Sequence, residues 1–596
     1  IRELALFGTN CIENIPLQDA DVNELMKLPR REMNRRISLI CEKYDLDFWV
    51  WTPATVDLSD PKQVEDEVRK HEELYKDCPR LDGVFVPGGD PGSNPPQVLL
   101  PFLQRISEKL RRHHPGAGVW VSLQGFKPEE VDYFFKYLEE HSPDWLRGVV
   151  SGPGSPPIPL TRDRLPQKYR HRHYPDITHT VRCQYPVLWW DQAFALTLGR
   201  EPCNPQPLYY SKIHNHFAPY TDGFLSYSDG VHDDVNKVVW TRLAWDPDIP
   251  VKDIILDYCK FFFGDDVAEQ AARGIFMLEK NWEGPLWRNE SVEKTLDHWR
   301  RLETQRTDLS SNWRWQLLLL RAYYDAYTRR RLLYEQELEK KAMQVLEEVG
   351  PGNVEEPMKR ALELVQKADR ENVAPELRRR IEELCYALFD SIGLQTSVPR
   401  FHASGYERGC VLDFVDYPLN NRWWLEDEFE KIRKMDDERC KIERIKLIRE
   451  WEHPPDGSFY DDVGNVAKSP HVQKGLQQPT YAWWDSGFSR ARLSFQVYMH
   501  RPKLRYEGLD PDASYTIRLT GYGEALLEVD GERVQPTRYE REQGSFKEFP
   551  IPKRLTSKGW IEVGFADPGE QHLNWRHRSR ISDIWLLKSS GTKPIS

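Results

Sequence analysis

Residues 1 to about 265 alternate short apolar runs with segments whose apolar residues recur at helical spacing. Runs at 4–15, 48–51, 83–86, 119–123, 148–150, 178–183 and 223–228 read as strands. Segments 32–44, 61–76, 98–113 and 128–140 read as the helices between them, and another helix starts near Asp233, with Val235, Val238, Val239 and Leu243 on one face. Strand–helix alternation predicts a parallel α/β fold. Polar residues gather at the carboxyl ends of the strands, where a (β/α)8 TIM-like barrel carries its chemistry. Seven strands are visible and a closed barrel has eight. Either the first lies upstream of Ile1 or another segment takes its place.

Beyond 251 the period lengthens into helices at 251–263, 266–283, 291–304, 313–349, 357–368, 375–391 and 426–450, broken at Gly350-Pro351-Gly352-Asn353. Two stretches rich in Gly, Asn and aromatics, 401–424 and 451–465, are read as interdomain packing or as lids, with packing ahead. From about 488 the period falls to two. Short runs at 493–498, 503–506, 514–520, 525–529, 546–551, 559–564 and 581–588 predict an antiparallel β-sandwich. The expected organisation is a catalytic barrel over 1–265, an α-helical domain over 266–487 with loops returning toward the barrel, and an accessory sandwich over 488–596.

Composition narrows the function. Hydrophobic residues make up 39% and charged residues 30%, as in soluble globular proteins. A net charge of −11 argues against a nucleic-acid partner held through phosphates. No apolar run reaches the ~18 residues of a membrane span. The nine cysteines show no CxxC or zinc spacing, and the odd number leaves at least one thiol unpaired. Ile1 is not an initiator Met, so a secretory signal has room to have been removed, which favours an extracytoplasmic setting. Twenty-one Trp suit a protein that stacks aromatic faces on sugar rings.

Two strand ends carry the best acids. In 222–247 (DGFLSYSDGVHDDVNKVVWTRLAWDP) a short strand delivers Tyr227, Asp229 and His232 just before a helix, with Asp233 or Asp234 as its N-cap. In 87–96 (PGGDPGSNPP) two glycines permit a tight turn that lifts Asp90 out of the strand end. Glycoside hydrolysis needs two carboxyl groups flanking the scissile bond, and Asp90 with Asp229 form the expected acid/base pair. Glu13, Asp191 and Asp233 compete for the same work. Asn10, Glu13, Trp51, Gln124, Arg182, Trp189, Asp191, Tyr227, His232 and Asp233 are expected to contact substrate. Arg182 would clamp a carboxylate or ring hydroxyls, or else pair with a barrel acid. Trp189-Trp190-Asp191 would form a stacking platform. No GxSxG elbow, HExxH or ligand cluster occurs, so neither metal nor cofactor is expected.

Over residues 1–450 the layout resembles that of the alpha-glucuronidase and beta-N-acetylhexosaminidase clan, a barrel followed by a helical domain. The segments LDGVFVPGGDPGSNPPQVLLPFL, HHPGAGVWVSLQGF and YSDGVHDDVNKVVWTRLAWDP look like parts of bacterial proteins grouped near those hydrolases. The consecutive Asp-Asp pair of the O-linked N-acetylglucosaminidases is missing, since Gly89 precedes Asp90. The resemblance implies an exo-acting glycoside hydrolase with an oligosaccharide or glycoside substrate. The alternatives are a non-catalytic glycan-binding protein and a beta-N-acetylhexosaminidase.

Overall fold

The computed structural model describes the chain except residues 18–24, 26, 90, 178–183, 186, 188–190, 199–201, 227–230, 407–408, 474–480, 484–489, 491–492, 498–500, 543, 571–572, 574–576 and 590–596. Two compact units emerge: Ile1–Thr178 with Asn204–Phe276, and His179–Cys203 with Met277–Ser596.

The first unit is built on a parallel sheet in strict sequence order: β1 (Cys11–Asn14), β2 (Asp47–Trp51), β3 (Gly83–Val86), β4 (Gly118–Ser122), β5 (Leu146–Ser151) and β6 (Arg170–His173). A parallel bridge from His173 to Phe224 carries the order one step further. The sheet curls into a half-barrel, and closure with eight strands is not seen among the described residues. The helices α1 (Arg2–Leu6), α2 (Arg30–Tyr44), α3 (Pro61–Asp77), α4 (Pro96–His113) and α5 (Pro128–His141) match the predicted segments apart from α1. Phe48, Val50, Val84, Val86, Val119, Val121 and Val149 share one buried core with Leu74, Leu99, Leu103, Phe134 and Leu138 of these helices. Strands covered on this face need apolar residues there, which is why a propensity for Val marked them.

Two elements differ from expectation. The run at 4–15 is α1 followed by a turn at Gly8 and then β1, because an apolar stretch alone does not separate helix from strand. The strand β6, of sequence RHRH, falls in a stretch that reads as loop, since none of its residues is apolar. The strand expected at 178–183 lies outside the described residues. After α6 (Ile158–Arg164), and apart from α7 (Gln192–Leu198) of the second unit, the first unit continues through α8 (Pro207–Phe217), α9 (Asp234–Trp245) and α10 (Val251–Phe263). The indole of Trp245 donates to Gly8 O at 2.6 Å and Phe7 stacks on Phe262, so α9 and α10 return to the start of the chain.

In the second unit, α11 (Ala268–Lys280, which spans the division), α12 (Ser291–Gln305), α13 (Trp313–Val345), α14 (Glu355–Val365) and α15 (Pro375–Ile392) follow the predicted helices closely. After short turns α16 (Val398–Phe401) and α17 (Val411–Phe414), the helix expected at 426–450 is two, α18 (Arg422–Arg433) and α19 (Glu438–Arg449), with Asp437 capping the second through Arg439 N at 2.9 Å. The 410–424 stretch is pinned onto α13. Arg331 donates to Val415 O and Tyr417 O, while Glu335 Oε2 accepts from Leu419 N at 2.9 Å and Arg422 Nη1 at 2.8 Å. That is packing within the second unit, where the sequence suggested packing between domains.

Among the described residues, the period-two region and two strands that precede it form antiparallel strands in two sheets. From β7 (Phe459–Asp462), β8 (Tyr481–Trp483), β9 (Leu493–Gln496), β10 (Leu504–Glu507), β11 (Ser514–Tyr522), β12 (Leu527–Val529), β13 (Glu532–Arg533), β14 (Arg538–Tyr539), β15 (Lys547–Ile551), β16 (Trp560–Phe565) and β17 (Arg580–Ser589), one sheet has the order β10-β16-β12-β13. The other has the order β14-β15-β11-β17-β9-β8, with β7 also paired to β17. Trp451, Phe546 and Trp585 join Trp424, Leu425 and Phe429 in one core, so helices and strands of this unit are stabilised together. Among the described residues no helix is long and apolar enough to cross a membrane.

Candidate functional site

The face of the parallel sheet opposite the helices is lined by large side chains. The register places Glu13 beside Trp49, Trp51 beside Phe85, Phe85 beside Trp120, and Val150 beside Arg172. Trp49, Phe85, Trp120, Val150 and Leu225 form a second core, with Cys11, Trp51 and Tyr174 at its edge. Two glycines make room for the indoles. A Cβ at Gly83 would lie 2.4 Å from the Trp49 ring, and one at Gly148 would lie 2.5 Å from Trp120.

Arg172 connects strands that are far apart in the sheet order. Its guanidinium lies 4.2 Å from the ring centroid of Trp49 on β2 and 4.8 Å from that of Trp120 on β4. It also acts electrostatically on Cys11 and Glu13 of β1, at the other end of the sheet. Only a strongly curled sheet brings β1 and β6 this close. A guanidinium suits the position because its flat face stacks on indoles and loses little hydration in doing so.

Glu13 is the most perturbed acid of this face. It stands one residue from the carboxyl end of β1, and its Oε2 is fully enclosed with no hydrogen-bond partner. Burial pushes its pKa up from 4.5 to about 8, and the nearby Arg172 charge only partly opposes this. The carboxyl is therefore protonated near neutral pH, in surroundings made of rings and one cation. Burial also pushes the Cys11 thiol up, so it is not a ready nucleophile.

The loops at the carboxyl ends of β3 and β4 lie on each other. Gly88 N donates to Ser122 Oγ at 3.3 Å and Gly89 N to Gln124 O at 2.7 Å. A Cβ at Gly88 would lie 2.3 Å from Ser122 O, so close approach of two backbones, rather than a left-handed turn, is what these two positions require. Gln124 Oε1 and the Tyr174 ring both flank Gly152, which gathers the ends of β4, β5 and β6.

The predicted residues divide accordingly. Glu13, Trp51 and Gln124 belong to this face and its rim. Asn10 is exposed just before β1, at the amino end of the strand, so the strand-end argument that selected it applies to Glu13 instead. His232 and Asp233 are buried at the start of α9. Asp233 occupies the N-cap position without a side-chain capping bond, and its carboxylate lies 3.3 Å from Lys237 Nζ. Asp234 accepts from Tyr258 OH at 2.9 Å. Asp191 belongs to the second unit, where one oxygen accepts from Ala193 N at 2.8 Å and the other from Leu286 N at 3.0 Å. Both its oxygens thus bind backbone, and burial pushes its pKa up. Asp90, Asp229, Arg182, Trp189 and Tyr227 lie outside the described residues. Arg172 and Trp120 are the residues of this face that the sequence reading did not single out. The alternation of Arg and His in RHRH was the available signal, an inward charge every second residue.

No known family's sequence profile matches the chain, and no curated protein does. Two of the solved structures similar to this chain are the following. One is described as a novel family GH115 4-O-methyl-alpha-glucuronidase, BtGH115A, with specificity for decorated arabinogalactans; the match has 9% identity, a TM-score of 0.37, and covers 97% of this chain and 81% of that one. The other is a family 89 glycoside hydrolase from Clostridium perfringens in complex with PUGNAc, at 12% identity and a TM-score of 0.33, covering 65% of this chain and 44% of that one. At these values the likeness identifies no shared site.

Proposed function

We propose that the chain is an exo-acting glycoside hydrolase whose site is the carboxyl-end mouth of the curled sheet. The observation that carries the reading is Glu13, a carboxyl held protonated to about pH 8 on an aromatic-lined face at a strand end. Cleaving a glycosidic bond requires a proton for the departing oxygen, and an acid that keeps its proton at neutral pH is suited to give it. In this reading Glu13 protonates the leaving group. Asp90 and Asp229, the pair assigned from sequence, supply the ionised carboxylate that activates water or stabilises the developing positive charge. Trp51 contacts the sugar from β2 and Gln124 from the loop after β4. Tyr227, Arg182 and Trp189 remain proposed substrate contacts.

The test compares glycosides with good and poor leaving groups. Glu13→Gln is expected to cut turnover of alkyl glycosides by about 10²–10⁴-fold, the usual worth of a general acid. Aryl glycosides with acidic phenols need little protonation and should lose far less. An equal loss on both classes removes Glu13 from the acid's role. Binding of a glycan without turnover of any glycoside would favour the glycan-binding alternative.

A further inference from the structure

The second unit holds a pair of carboxylates that the proposed hydrolysis does not use. Asp462 ends β7 and Asp583 lies on β17, and the antiparallel register sets them directly opposite each other. Residues opposite each other on neighbouring antiparallel strands have side chains on the same face, with Cβ atoms roughly 4.5–5.5 Å apart, and like charges there repel. Both are deeply buried, Asp462 at 8% exposure and Asp583 at 2%.

Their surroundings differ sharply. Asp583 accepts from Trp451 Nε1 at 3.2 Å, Tyr460 OH at 2.7 Å and Thr520 Oγ1 at 2.8 Å, and Arg490 Nε lies 3.6 Å away. Three donors and a cation thus surround the Asp583 carboxyl. Among the described residues no donor reaches the Asp462 carboxyl, and its neighbours act on it only through charge: Asp583, Arg490, Lys468 and Glu452. Arg490 and Lys468 are both paired to Glu452, the latter at 3.1 Å. Two cations therefore face two fixed anions, and an ionised Asp462 would be the surplus charge. On the opposite side of β7, Asp461 is satisfied by His471 Nδ1 at 2.9 Å and Tyr506 OH at 2.9 Å. That contact holds the strand without involving Asp462.

We propose that Asp462 and Asp583 form a protonation latch: a proton held on Asp462 keeps two facing buried carboxylates from repelling each other across β7 and β17, and its loss as the pH rises toward neutrality loosens the 459–468 strap. The strap also carries Lys468, so opening would break the Lys468–Glu452 pair that covers the buried cluster. Burial, and then the Asp583 charge, raise Asp462 from 3.8 to about 7. With β7 released the carboxyl meets water and returns toward its ordinary value. Protonation thus favours the closed strand, and closure is weakened as pH rises toward 7.

Hydrogen–deuterium exchange of the full chain from pH 5 to 8 tests this. After correction for intrinsic exchange, protection of the amides at 459–463 should fall about tenfold per pH unit up to about 7 and then level off. Peptides from β11 should stay flat over the same range. Asp462→Asn should abolish the slope, and Asp583→Asn should move it to lower pH. A flat wild-type profile, a slope that survives in Asp462→Asn, or a parallel loss of protection across β11 would each overturn the latch. Should Asp462→Asn not fold, the wild-type profile and Asp583→Asn decide the matter alone.

Discussion

Replacing Glu13 with Gln removes the proton-binding site while keeping shape and polarity, and it should stabilise the protein in alkali. The folded carboxyl titrates near 8 against an ordinary value of 4.5. Between those values the folded state keeps a proton that the unfolded state has lost. Stability therefore falls as pH rises through that window and is level above about 8. Each pH unit of the gap corresponds to about 1.36 kcal/mol, which sets a ceiling of roughly 4–5 kcal/mol. The effective dielectric of a protein interior is higher than that of dry protein, which shrinks the cost of burying the charge, and about 2 kcal/mol is the working expectation. At roughly 2–4 °C per kcal/mol for a unit of this size, Glu13→Gln should melt about 5 °C above wild type at pH 9. At pH 4 the two should melt together. Scanning calorimetry on both proteins at matched ionic strength gives the difference directly. The slope from Asp462 is common to both and cancels. A shift that is the same at pH 5 and pH 9 would refute the reasoning. A variant less stable than wild type at pH 9 would show instead that an ionised Glu13 paired to Arg172 is the native state.

Gly83→Ala places a Cβ 2.4 Å from Trp49, and such overpacking should cost about 1–3 kcal/mol; a change in Tm equivalent to less than about 0.5 kcal/mol would show that the indole moves aside freely. Glu335→Gln leaves the buried Arg331 and Arg422 short of a counter-charge, so urea melts should lose about 3–5 kcal/mol and limited proteolysis should open 415–422. Wild-type stability there would remove the pinning role from Glu335. Asp90→Asn and Asp229→Asn should each lower turnover of aryl glycosides by orders of magnitude with unchanged circular dichroism, and full activity in either removes that residue from the mechanism. Turnover should survive exhaustive chelation, since the sequence offers no recognisable set of metal ligands; loss that a divalent metal restores would favour a site built from His232 and Asp233.

The chain announces those elements whose own residues are sufficient to specify them. The segment 251–263 carries apolar residues on one helical face and is helical over Val251–Phe263. The run GVFV is buried on both faces and is β3 over Gly83–Val86. Elements that are made only by partners far along the chain were not legible. RHRH has no apolar residue, and it is a strand because β5 pairs with it and because Trp49 and Trp120 receive the Arg172 guanidinium. FYDD lies in a Gly- and Pro-rich stretch and becomes β7 only against β17, some 120 residues later. The site divides in the same way. Glu13 was recognisable as an acid near a strand end, and the strand-end rule could rank it no higher than Asn10. Its protonated state comes from enclosure on a curled face whose cation is supplied by β6. Asp191 reads from sequence as an available acid, yet its two oxygens are taken by the backbone of Ala193 and Leu286. Local pattern encodes which face of a segment avoids water. Whether a charge on that face is paired, stacked or neutralised depends on groups brought near it by folding, because desolvation and Coulomb energies are set by distance in space and not by distance along the chain.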